Sequence, residues 1–168
     1  GEALSKKLSA AQKQRLDKAL ARAGIPMAGV AGMKPWLVAT MLALAEYGAQ
    51  GYRPEQGVEG HLTQLARSNG VPVTELESVE GQLALFGRLT DAEELRFLDE
   101  VVAMIEDGRQ GEEARQIVDA WAKADRAALD GIAQRVEEDQ SMSGRFLYQV
   151  LLVERNTAMA DKLAGLIA

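Results

Sequence analysis

The sequence contains no cysteine and one histidine. The first absence excludes a disulfide framework, a thiolate zinc site and a cysteine nucleophile. The second leaves His61 without a partner imidazole, and neither HExxH nor a comparable ligand spacing occurs. A lone histidine on a helix reads as a solvated surface residue rather than a ligand. Aromatics are 5% of the chain, and nothing suggests a stacking platform; Trp36 and Trp121 read as core. Positive charge is also short. The formal net charge is −6, which argues against a nucleic-acid partner, since phosphate contacts need clustered Lys and Arg. The seven basic residues before Pro35 (Lys6, Lys7, Lys13, Arg15, Lys18, Arg22 and Lys34) outnumber two acids, Glu2 and Asp17, yet they are spread around a helix as a solvated face would be. Long apolar runs are missing too. Trp36 to Ala45 is about half of the ~20 residues a bilayer requires, so it reads as a core helix and not a membrane span.

What is present is enough for one sizeable core. At 168 residues and 47% hydrophobic, a single domain over 1–168 is expected. The chain opens on Gly1-Glu2 without a signal-peptide pattern, which reads as a trimmed end and leaves the compartment open.

Helical periodicity dominates. Ser9 followed by Gln12 forms a capping box, and Leu16, Ala19, Leu20 and Ala23 repeat at helical spacing until Gly24 and Pro26 stop the helix. Pro35 begins a second helix, apolar nearly all round, to about Gly48. Val58, Leu62, Leu65 and Ala66 share the next helical face, ended by Asn69-Gly70. Ser78 caps a helix that uses Leu83, Phe86 and Leu89, and Thr90 with Glu93 forms a second capping box ahead of Leu95, Leu98, Val102 and Ile105. Ala114, Ile117, Val118 and Trp121 mark another helix, and Leu129, Ile132 and Val136 one more. The last stretch, from Arg145, is one long helix or two joined near Arg155.

Between Gly70 and Ser78 the pattern changes. Val71, Val73 and Glu75 alternate in a β-branched segment, which predicts a short strand near 71–76, with Pro72 at its start. The expected fold is mainly α, about eight helices and one short β-strand. A lone strand leaves its backbone polar groups unpaired, at a cost of about 1–3 kcal/mol each if buried. The expectation is therefore either the helical part of a longer α+β fold, or a strand whose edge pairs with another molecule, as in a homodimer.

The succession MKPWLVATM, GVEGHLTQLARSNGVPVTELESVEGQLALF, DAWAKAD and LLVERNTAMA resembles the TraB/GumN family, which includes the Tiki proteases, over nearly the whole chain. The resemblance implies a mixed β and α fold and a metal-dependent hydrolase or protease. It also implies a site made from two Gly-x-x-His motifs near the two ends of the full domain, a glutamate and an arginine. Neither histidine motif is present, and Val58-Glu59-Gly60 before His61 does not fit one. Glu77 of LES and Arg155 of RN do match.

Glu77, straight after the strand, can be offered rigidly to a metal or a water, or can simply favour the positive end of the following helix. Arg155, in an otherwise apolar stretch, calls for a carboxylate or a substrate anion; a salt bridge to Glu77 or to the neighbours of Glu154 is the structural alternative. Asn156 beside it is a candidate substrate contact or a cap for the last helix, and Glu75 reads as structural. By resemblance the intact protein is a metal-dependent hydrolase acting on peptide or envelope-derived substrates, with a cell-envelope location. Its divalent metal, held in part by Glu77, belongs to the intact form, and none is expected in this chain, which should be inactive. The alternative is a non-catalytic helical binding or regulatory module that takes a partner's strand around Val71–Leu76.

Overall fold

The structure, a computed structural model, describes residues 4–167. Helices α1 (Leu4–Lys7), α2 (Ala10–Arg22), α3 (Met27–Val30) and α4 (Pro35–Ala49) are followed by a 3₁₀ turn, Pro54–Gln56. Helices α5 (Val58–Ser68), α6 (Val79–Phe86), α7 (Asp91–Glu106), α8 (Arg109–Ala122), α9 (Arg126–Glu138) and α10 (Met142–Phe146) come next. The chain then widens into a π-helical segment, Leu147–Glu154, and continues without a break into α11, Arg155–Ile167. The last stretch is thus two helical types joined at Arg155.

Local chemistry sets the helix starts. Ser9 and Thr90 each accept from a backbone N–H three residues on, while Gln12 and Glu93 reach back to the cap, so both capping boxes form as the sequence implies. Pro35 occupies the first turn of α4, where a missing N–H costs nothing. Gly24 and Gly70, at φ +69° and +67°, take the left-handed conformation that ends α2 and α5.

The core lies where α4 packs on α7, with α2 and α8 alongside. Leu16 and Leu20 of α2, Val38, Ala39 and Leu42 of α4, and Leu98, Val102 and Ile105 of α7 are almost wholly buried, closed at one end by Leu4 and Val30. Each Leu, Ile or Val side chain among them contributes about 1.5–3 kcal/mol of transfer free energy. An aromatic group extends the core: Trp36 stacks on Phe86 with centroids 4.4 Å apart, and Phe86 meets Phe146 at 5.4 Å and Phe97 at 6.1 Å. It is what ties the short helix α6 to α4, α7 and α10. Two carboxylates are also buried. Glu46 of α4 pairs with Arg22 of α2 at 3.1 Å, and Glu94 of α7 pairs with Lys34 at 2.9 Å.

Three expectations are corrected. Among the described residues there is no strand: 71–76 runs as irregular chain, with Val71 and Val73 more than half exposed. A strand exists through its ladder, and no neighbouring segment here supplies one; the Val71 N–H instead closes back onto Ala66 O at 2.9 Å. The strand edge expected to mediate a homodimer is accordingly not formed. Trp121 is 64% exposed rather than core. Helix α8 approaches its neighbours through Gly111, Ala114 and Ala120, whose small side chains allow close contact, and this turns Ile117 and Trp121 outward. The apolar face of α5 is likewise open, with Val58, Leu62 and Leu65 each about half exposed.

These faces add up. The exposed surface is 11005 Å², where a compact chain of 18.1 kDa exposes about 8,100 Å². Large apolar side chains stand open on α5, on 71–83 and on α11, where Leu163, Leu166 and Ile167 are exposed.

Candidate functional site

Glu77 and Arg155, 78 residues apart, meet. Glu77 stands just outside α6, where Ser78 accepts from the Gly81 N–H at 3.0 Å and turns the chain into the helix. Arg155 stands at the point where the π-helical segment becomes α11. Such wide turns are frequent at functional positions, where the wider turn re-aims the side chains that follow. Arg155 Nε donates to Glu77 Oε2 at 2.9 Å, and Arg155 Nη2 donates to Glu77 Oε1, a two-pronged pairing that suits a planar guanidinium. The remaining arm, Nη1, donates to Leu151 O at 3.1 Å, inside the π-helical segment.

Two groups around this pair have no place in the sequence reading. Gln82 of α6 donates its Nε2 to Glu77 Oε1 at 2.7 Å. Arg88, just beyond α6, takes Glu154 in a second two-pronged pair at 2.5 and 3.3 Å, so consecutive residues Glu154 and Arg155 both bind the 77–88 segment. Their signal in the sequence is weak. Gln82 is one polar residue on a short helix, and Arg88 and Glu154 are one charge pair among many.

The electrostatics follow from these contacts. The Arg155 hydrogen bond, helped by Gln82, holds the Glu77 carboxyl below its ordinary range against the opposing effect of desolvation. The same bond raises Arg155. Glu77 is therefore an ionised acceptor, not an acid with a proton to give. The pair is about a quarter exposed on each side, close enough to solvent for a ligand to reach it. Glu46 and Glu94 are buried more deeply, but each is spent on one cation, Arg22 and Lys34, in a contact that fastens segments of the core together.

A metal centre does not fit the residues present. Arg155 has no lone pair to offer, and its positive charge, held against Glu77 by two prongs, repels a cation. Among the described residues no three His, Asp or Glu side chains converge on one point. His61 is exposed on α5, as expected of a surface histidine, and Asn156 is exposed on the first turn of α11, with neither drawn into the pair. Glu75 is exposed as well. A concavity of about 470 Å³ between α8 and α9 is lined by residues such as Asp119, Lys123, Asp125 and Arg135 and includes neither Glu77 nor Arg155. No helix among the described residues is long and apolar enough to cross a membrane.

Comparison with known proteins agrees with the order of motifs. Two curated relatives, each named Uncharacterized protein YbaP, one from Escherichia coli (strain K12) and one from Shigella flexneri, are 28% identical to the chain over 168 residues. The alignment covers 98% of this chain and 59% of each relative, so the chain spans about three-fifths of their length. No solved structure gives a significant match. The TraB/PrgY/gumN family matches from residue 1 to residue 168, and the chain belongs to that family.

Proposed function

We propose that the chain is the helical portion of a TraB/PrgY/gumN-family hydrolase whose intact form is metal-dependent and acts on peptide or envelope-derived substrates. The single observation that supports this reading is the meeting of Glu77 and Arg155, two residues far apart in sequence that share a partly exposed position. In this reading Arg155 binds a substrate carboxylate or a developing oxyanion, and Glu77 holds the guanidinium in the right plane or accepts a proton from an attacking water. The divalent metal takes its ligands from residues other than those of this chain, and the chain alone is inactive. A cell-envelope location accompanies the reading through the family.

The test compares the 168-residue chain with the longest polypeptide that its reading frame encodes, using a peptide library with a mass-spectrometric readout. The expected result is cleavage by the longer polypeptide alone, abolished by chelation and restored by a divalent metal. Glu77→Gln and Arg155→Met should each lower kcat/KM by about 10²-fold or more. Full cleavage by Glu77→Gln would remove Glu77 from the chemistry, and a longer polypeptide that cleaves nothing with any metal would end the hydrolase reading.

One observation favours a second reading, a binding or regulatory module: the open chain at 71–76 lies beside the uncovered apolar residues of α5 and α6. A module of this kind offers those backbone groups and valines to a partner's strand, a second copy included. Light scattering over a wide concentration range separates the cases, since a strict monomer rules out the second copy.

A further inference from the structure

The Gln82 side chain belongs to neither half of the ion pair, yet it touches the carboxylate on which the pair depends. Its Nε2 lies 2.7 Å from Glu77 Oε1. That distance fixes the amide orientation, because an amide oxygen turned toward the carboxylate would be repelled. The contact joins a residue outside the helix to one five positions later within it. It depends on the Ser78 cap, which folds the chain over the first turn of α6. One turn further along, Phe86 is held by Trp36 and Phe146. Gln82 is thus half-buried on a helix anchored to the core, whereas Arg155 approaches from a different element, the start of α11.

The two donors differ in chemistry as well as in origin. A guanidinium is drawn to any anionic or carbonyl group that arrives, and each prong moved to such a ligand is a prong withdrawn from Glu77. A neutral amide competes weakly for anions and has no proton to lose near neutral pH. We propose that Gln82 is a positioning residue for Glu77, holding the carboxylate in place and ionised while Arg155 turns toward a ligand. The role rests on the reading of Glu77 and Arg155 as the working pair. Gln82 depresses the Glu77 carboxyl in the same direction as Arg155, though less strongly.

Carbon-13 NMR of the glutamate side-chain carboxyls in the 168-residue chain tests this, with the Glu77 signal assigned by its loss in Glu77→Gln. The pH midpoint of Glu77 is read in the wild type, Gln82→Leu, Arg155→Met and the double variant. The expected result is an upward shift in Gln82→Leu, a larger one in Arg155→Met, and a further rise when Gln82→Leu is added to Arg155→Met. An unchanged midpoint on losing Gln82 in both backgrounds would overturn the proposal; Gln82→Ala, which opens the position to water, should also shift upward, and a shift confined to Gln82→Leu would mean desolvation by the added methyls and overturn it equally. If Gln82→Leu fails to fold by amide correlation spectra, Gln82→Glu reads the same contact. Two carboxylates there must titrate as a coupled pair, and a single undisturbed Glu77 transition would overturn the proposal equally. Neither metal nor substrate enters these measurements, so failure of the hydrolase assay and failure of the amide contact are separate results.

Discussion

Removing Arg22 should destabilise the protein through Glu46. The Glu46 side chain is 7% exposed; it accepts a hydrogen bond from Arg22 Nη2 at 3.1 Å and has Arg22 Nε in ion-pair contact at 3.1 Å, whereas the arginine itself is 54% exposed. Helix α8 covers the carboxylate from the other side, where a Cβ placed on Gly111 would lie 3.5 Å from Glu46 Oε2. Deleting one partner of a fully buried pair costs about 3–5 kcal/mol, because the other charge is left dry. Here water can enter along the path the arginine vacates, so about 2–3 kcal/mol is expected for Arg22→Met. At about 2.1 cal/mol/K per residue, unfolding of 168 residues carries roughly 350 cal/mol/K, which makes the expected fall in Tm about 6–9 °C. The penalty belongs to the orphaned carboxylate, so Arg22→Met/Glu46→Leu should recover at least about half of it. Urea and thermal unfolding of both variants measure this. A single variant within about 0.5 kcal/mol of wild type, or a double variant no better than the single, would refute the argument.

Three further outcomes follow from the packing and the charges. Leu98→Ala, in the α4–α7 core, should cost about 3–4 kcal/mol by urea denaturation, while Leu83→Ala, on the open face of α6, should cost less than about 1 kcal/mol. Phe146→Ala should cost about 3 kcal/mol and also loosen α6, read as faster amide hydrogen exchange at 79–86, because Phe146 is one of the rings that hold Phe86. The pH profile has a definite sign. The Glu77 carboxyl is depressed in the folded chain, so its stabilising pairing is complete above the ordinary carboxylate value and is lost as pH falls through the folded value. Subtracting the Glu77→Gln stability profile from that of wild type between pH 3 and 6 should leave a difference that declines toward acid, and a flat difference would contradict the pairing.

The site was half legible. Glu77 and Arg155 stood out through the family's motifs, and an ion pair between them was one of the readings that Arg155 allowed, beside a substrate anion and the neighbours of Glu154. Gln82 and the Arg88–Glu154 pair were not legible, because nothing in one sequence says that residues 77–88 face residues 151–155. The π-helical widening before Arg155 has no compositional mark either: Leu147–Glu154 reads like any apolar helix. Trp121 misled because periodicity predicts which residues share a face, not which face a neighbour covers. On α8 the small residues Gly111, Ala114 and Ala120 won the contact.

Local chemistry decided the helices. Capping boxes at Ser9 and Thr90, Pro35 at a first turn, and glycines at helix ends act within a few residues of chain, so their effects are written in the order of the residues themselves. Tertiary structure decided the rest, because burial and ladder pairing need a second surface. It placed Glu77 against Arg155 and Gln82, sank Glu46 and Glu94 beneath their cations, and left 71–76 irregular, since an alternating segment becomes a strand only where another backbone lies alongside it.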